Sequence, residues 1–179
     1  CVPCASRTSV HRLLVACDYR QPLVQTAVHQ LKYRALVELA RPLGLLLTRY
    51  LEHLRNSGSD VGPFGAVIPV PLHRRRELAR GYNQAQLLAE ALAAKFSWPV
   101  RPSALRRVRS SRPQVGLGLR QRRRNVIGAF AVATPQDVAG QAVLLVDDVV
   151  TSGSTVNACA AVLIAAGASS VTGLALAHG

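Results

Sequence analysis

A β-strand that is apolar at every position has no face to give to water. AVLLVDD, residues 142–148, runs through five consecutive apolar residues before reaching two adjacent carboxylates, Asp147 and Asp148. A strand of that kind belongs in a parallel sheet covered on both sides, whereas a sheet with one wet face shows alternation. The rest of the chain supplies the cover. In QPLVQTAVHQLKY, residues 21–33, Leu23, Val24, Ala27, Val28 and Leu31 recur at helical spacing. Helix continues from Ala35 to Leu54 with an interruption at Pro42 and Gly44, and NSGSD ends it. AVIPV, residues 66–70, is a short buried strand, followed by a basic loop, PLHRRRELARGY; Asn83 is then placed to cap the helix QAQLLAEALAAKF. Two β-like pieces, around residues 99–105 and 125–132, flank an arginine-rich loop, STVNACAAVLIAAGA forms a helix closed by Gly167, and SSVTGLALA is the last strand. Strands separated by such helices need crossover connections, so the expected fold is α/β, a Rossmann-like parallel sheet flanked by helices on both faces, with a flexible arginine-rich loop.

With 179 residues, 49% of them hydrophobic, the chain has enough material for one sizeable core and too little for two ordinary domains. No apolar run approaches the ~20 residues that span a bilayer. CVPCASRTSVHR lacks the apolar centre of a signal peptide, so a soluble, cytoplasmic protein without membrane contact is expected. The sequence contains no Met, which makes Cys1 a processed end or the edge of a longer protein. Cys1-x-x-Cys4 is half of a zinc pattern, with His11 and Cys17 as further candidate ligands. Cys159 sits in an alanine-rich helix and is expected to be a buried apolar thiol.

Charge narrows the choice of partner. The formal net charge is +13, and between Arg101 and Arg124 there are nine arginines and no acid. An anionic partner is implied: nucleic acid, pyrophosphate or an acidic protein, the alternative being a solvated arginine-rich surface. In parallel sheets ligands collect where strands end and the next turn enters a helix. There the chain places Thr151, Ser152, Gly153, Ser154 and Thr155, with only Val149 and Val150 between them and the acids. Unpaired N–H groups, the positive end of the helix dipole and a glycine that permits close approach suit a phosphate. A dipole contact is worth about 0.3–1 kcal/mol and micromolar binding takes about 8 kcal/mol, so other contacts must converge on the turn. A Walker A loop is excluded because the only lysines are Lys32 and Lys95, and VGLGLRQ lacks the third glycine and preceding strand of a dinucleotide fingerprint. Two carboxylates before a phosphate cradle suit a sugar phosphate, whose vicinal hydroxyls they would accept from, with a divalent metal nearby.

DDVVTSGST resembles the phosphoribosyl pyrophosphate (PRPP) motif of the type I phosphoribosyltransferases, with Ser152 where Thr is commoner. VIPVPLHRRRELARGYNQAQLLAEALA, with LKYR upstream and RSSRPQVGLGLRQRRRNVIGAF downstream, is similar to the ComF branch of that superfamily, which is linked to competence and DNA uptake. The resemblance implies that Asp147 and Asp148 are catalytic and hold the ribose hydroxyls, with Mg²⁺ near them, and that Val149, Val150, Thr151, Ser152, Gly153, Ser154 and Thr155 bind the 5′-phosphate. It implies that Leu72, His73, Arg74 and Arg75 meet the pyrophosphate. Arg109, Arg112, Gln114, Arg120 and Arg124 would belong to the mobile loop that closes over the site. Residues 1–17 would be the remnant of an N-terminal zinc-ribbon-like segment, with Zn²⁺ held by Cys1 and Cys4 only in the full-length protein, and residues 18–179 the phosphoribosyltransferase-like domain. Lys32 and Tyr33 either reach the site or end a helix.

Two functions follow. One is a Mg²⁺-dependent phosphoribosyltransferase using PRPP and a nitrogen nucleophile, a homodimer being compatible with it. The other is a nucleic-acid-associated protein that grips DNA or RNA through the arginine-rich loop, its phosphoribosyl site regulatory or inactive.

Overall fold

The structure is a computed structural model describing residues 8–109 and 126–179. In chain order its elements are β1 (Arg12–Asp18), α1 (Pro22–Tyr33), α2 (Ala40–Asn56), β2 (Ala66–Pro69), α3 (Arg74–Arg80), α4 (Gln84–Phe96), β3 (Leu105–Arg107), β4 (Phe130–Val132), β5 (Ala142–Val150), α5 (Ser154–Ala165) and β6 (Ser170–His178). Four strands form one parallel sheet in the order β1-β6-β5-β2, and β3 pairs antiparallel with β4. The α/β fold expected of a type I phosphoribosyltransferase is present.

The continuous apolar run explains the architecture. Successive side chains of β5 point to opposite faces. Leu144 and Val146 pack with Leu47 and Leu51 of α2 and Leu88 and Leu92 of α4. Val143 and Leu145 pack with Cys159 and Leu163 of α5 and with Leu105 and Phe130 of the small hairpin. Each core therefore needs every second residue of the same strand, and both are apolar.

Several local expectations are corrected. Helix α2 runs unbroken through Pro42 and Gly44. Pro42 is the third residue of the helix, where an N–H would have no intrahelical acceptor to lose. Gly44 is a packing device, since a Cβ there would lie 2.4 Å from the Ala91 Cβ of α4. Gly44→Ala should therefore destabilise by about 1–3 kcal/mol despite its better helix propensity. Ala91→Gly in the same chain should recover part of the loss in denaturant titration.

PLHRRRELARGY is a helix over its centre and not a loop. His73 caps α3, its Nδ1 accepting from the Arg75 N–H at 3.3 Å, and Gly81, at φ 87°, closes it with an N–H to the Glu77 carbonyl at 2.7 Å. With Leu78 exposed, α3 has no apolar stripe to announce it. The two β-like pieces flanking the arginine-rich stretch form only three-residue strands, and Val100 makes a single bridge to Val67.

Strand β1 is absent from the elements expected above, although Leu13, Leu14, Val15 and Ala16 form an apolar run at its centre. It begins at Arg12, so the sheet extends ahead of residue 18. Cys1 and Cys4 lie outside the described residues, as do Arg112, Gln114, Arg120 and Arg124. No described helix is long and apolar enough to cross a membrane.

Candidate functional site

Strand β5 does not stop at its acids. Its pairing with β6 continues to Val150 opposite His178, and the Gly179 N–H donates to the Val150 carbonyl at 2.9 Å. Asp147 and Asp148 thus sit inside a hydrogen-bonded strand near its carboxyl end, on opposite faces by the strand's alternation. Both are buried, at 8% and 3% exposure. Buried carboxylates are tolerated only where something meets their charge.

For Asp148 that partner is Lys32, whose Nζ lies 2.8 Å from Oδ2. Asp148 Oδ1 also accepts the Val149 N–H at 2.7 Å. The last turn of α1 therefore reaches the site. Burial alone pulls the Lys32 ammonium pKa down, but the charge and hydrogen bond of Asp148 outweigh it and the net direction is up. Tyr33 points elsewhere. It is exposed, 4.9 Å from the His29 ring and under the Arg80 guanidinium at 5.6 Å.

Asp147 is held differently. Its Oδ1 accepts the Asp148 N–H at 2.9 Å. Burial first, and the Asp148 charge second, push its carboxyl up to about 8, with Lys32 pulling the other way. Electrostatically it faces Arg107 and Cys159. Arg107, half-buried in β3, bridges to His73 through the backbone and stacks over Phe130 at 5.3 Å. Burial and then the charge of Arg76 lower its guanidinium pKa. Cys159 is the buried thiol expected, its pKa driven well up by burial and next by Asp147.

Beyond Val150 the chain turns through Gly153, at φ 68°, into α5. An L side chain is strained at that angle, which gives the glycine its place in the turn. Asn157 N–H bonds the Gly153 carbonyl at 2.9 Å, so the amides of Ser154, Thr155 and Val156 precede the first intrahelical bond. Ser152 Oγ and Ser154 Oγ lie 2.8 Å apart, converging hydroxyls beside those amides. At the end of β2, Leu72 and His73 lead into α3, on which Arg74 and Arg75 are exposed.

Residues 83–178 match the family model described as the phosphoribosyl transferase domain. The DNA utilization protein YhgH of Shigella flexneri is 38% identical over 160 residues, covering 89% of this chain and 69% of that protein. Competence protein F of Haemophilus influenzae is 33% identical over 147 residues, covering 82% of this chain and 63% of that protein. The chain belongs to the ComF branch of the type I phosphoribosyltransferases.

In this ComF-type chain the fold brings the acid pair, the hydroxyl turn and the His73 loop to one sheet edge. Arg109 is exposed just past β3. Two contributors were given no role by the motifs. Arg107 is one, hidden in a run of arginines with nothing to distinguish it. Tyr82 is the other, its hydroxyl donating to the Leu31 carbonyl across 51 positions of sequence. Nothing in the spacing signals that contact.

Among the described residues no group of three or more His, Cys, Asp or Glu side chains is arranged around a metal. Asp147 and Asp148 still offer hard carboxylate oxygens. That donor set suits Mg²⁺, which is commonly held by one or two carboxylates with the remaining positions filled by water and substrate phosphates.

Proposed function

We propose that this chain binds PRPP at the carboxyl edge of β5 and transfers phosphoribose to or from a nitrogen nucleophile. The observation that carries the reading is the acid pair followed, after Val149 and Val150, by a turn with left-handed Gly153 and converging hydroxyls. The 5′-phosphate would take the first-turn amides of α5 and the hydroxyls of Thr151, Ser152, Ser154 and Thr155. Asp148, ion-paired with Lys32, accepts from a ribose hydroxyl. Asp147 holds its proton near neutral pH, so it either donates to the sugar or releases that proton when a cation arrives.

Mg²⁺ would be held by Asp147 and Asp148 with ligand oxygens, and when bound it neutralises pyrophosphate charge. In the transfer the bond from C1 to the pyrophosphate oxygen breaks as the bond from nitrogen to C1 forms. The charge developing on the leaving group is met by His73, Arg74 and Arg75, where binding strengthens in the transition state. Calorimetric titration of PRPP, with and without Mg²⁺, should give micromolar binding, about 8 kcal/mol. Absence of heat under both conditions would remove the sugar-phosphate reading.

A second reading has its own observation. Arg74, Arg75 and Arg76 of α3, Arg106 of β3 and Arg109 just past it are all exposed, and none is ion-paired among the described residues. The names of the relatives, DNA utilization protein and competence protein, suit an anionic polymer on this face. Replacing Arg74, Arg75 and Arg76 with Ala should weaken single-stranded DNA binding and lower its salt slope by about 2–3. An unchanged slope would take α3 out of the contact.

A further inference from the structure

The last four carbonyls of a helix have no intrahelical donor. Leu31 supplies one of them in α1, and the Tyr82 hydroxyl donates to it. One residue further, Lys32 meets Asp148 at 2.8 Å, and one beyond that the Tyr33 ring lies under the Arg80 guanidinium at 5.6 Å. Residues 80 and 82 therefore hold the helix end on either side of the lysine.

The same segment is fixed to the other half of the site. Asn83 Nδ2 donates to the Val70 carbonyl at 3.1 Å, just ahead of Leu72 and His73, while Asn83 Oδ1 accepts the Ala85 N–H at 3.0 Å and caps α4. Gly81, at φ 87°, ends α3, and the next two residues bond to different elements, Tyr82 to the Leu31 carbonyl and Asn83 to the Val70 carbonyl.

We propose that Tyr82 is a positioning residue that ties the pyrophosphate loop, Leu72–Arg75, to the acid pair through Leu31 and Lys32. The proposal rests on the PRPP reading above. Its physical content is a link between two subsites. With the Tyr82 hydroxyl in place, the Lys32 ammonium is set at a fixed distance from the loop that receives pyrophosphate. Without it the Leu31 carbonyl turns to water and the end of α1, with its lysine, is free to shift. Occupying one subsite then no longer presets the other, and such links appear as a coupling factor between two ligands.

The experiment titrates inorganic pyrophosphate and ribose 5-phosphate, each alone and with the other saturating, at constant Mg²⁺ and ionic strength. The proteins are the wild type, Tyr82→Phe and Arg80→Met. In both variants the coupling factor should fall by about 5-fold, while the affinity for ribose 5-phosphate alone changes less than about twofold. Mutual repulsion of the two anions is common to all three proteins and drops out of the comparison. A residue that only stabilised the fold would lower the melting temperature and both affinities together and leave the factor unchanged, an outcome that overturns the proposal. Arg80→Met keeps the test alive should Tyr82→Phe fold poorly. A wild type that binds PRPP, with coupling intact in both variants, sinks the Tyr82 role alone. A wild type that binds neither half removes the PRPP reading and this one with it.

Discussion

Lys32→Met should destabilise the protein by about 3 kcal/mol and abolish PRPP binding. The loss follows from what the substitution leaves behind. Asp148 is 3% exposed, with the lysine ammonium 2.8 Å from its Oδ2. Breaking a buried pair by removing one partner costs about 3–5 kcal/mol because the other charge is stranded. In a domain of this size that is a fall of roughly 6–12 °C in melting temperature. Asp148→Asn should be costly for the mirror reason, the ammonium being the stranded charge. The double variant, Lys32→Met with Asp148→Asn, should recover most of the stability and none of the PRPP binding. Thermal melts with calorimetry on all four proteins separate the two roles. A silent Lys32→Met in the melts would mean the pair is not formed in solution.

Asp147→Asn has the opposite expected sign. The Asp147 carboxyl, at about 8 in the folded chain, is raised far above its unfolded value near 4. Between those limits the native state holds a proton that the unfolded state has released. Stability therefore falls as pH rises from about 4 to about 8, by up to ~1.4 kcal/mol per unit. An amide at this position does not titrate. The variant should gain stability over the wild type progressively across that window, and should lose PRPP affinity while folding better. Denaturant titrations at pH 5 and pH 8 check this. A wild-type curve that is flat or rises over the window would show that Asp147 is ionised in the native protein. A gain in stability on deleting a buried acid is what a site held strained for ligand binding produces.

The unusual patterns in the chain were legible as they stood. Five apolar residues in a row fixed a strand covered twice, and the hydroxyl-rich turn behind Asp147 and Asp148 could be placed at the carboxyl edge of the sheet, because both signals are local. Asn83 capping α4 was readable for the same reason: a cap is a contact two residues long. Helix α3 was not readable, since its residues face water and are held by His73 and Gly81 and not by an apolar stripe. The edge strand β1 mixes Arg12, Cys17 and Asp18 with its apolar centre and shows only a weak pattern.

That two acids and a hydroxyl-rich turn follow a buried apolar run is written in residues 142–155. How the two acids differ comes from the packing around them. Asp148 meets the Lys32 ammonium, whereas burial and the neighbouring Asp148 charge push the Asp147 carboxyl up, because strand alternation sends adjacent residues to opposite faces. What each face then offers comes from α1, β3 and α5, elements far apart in the chain, and charge and burial at a site are set by neighbours in space.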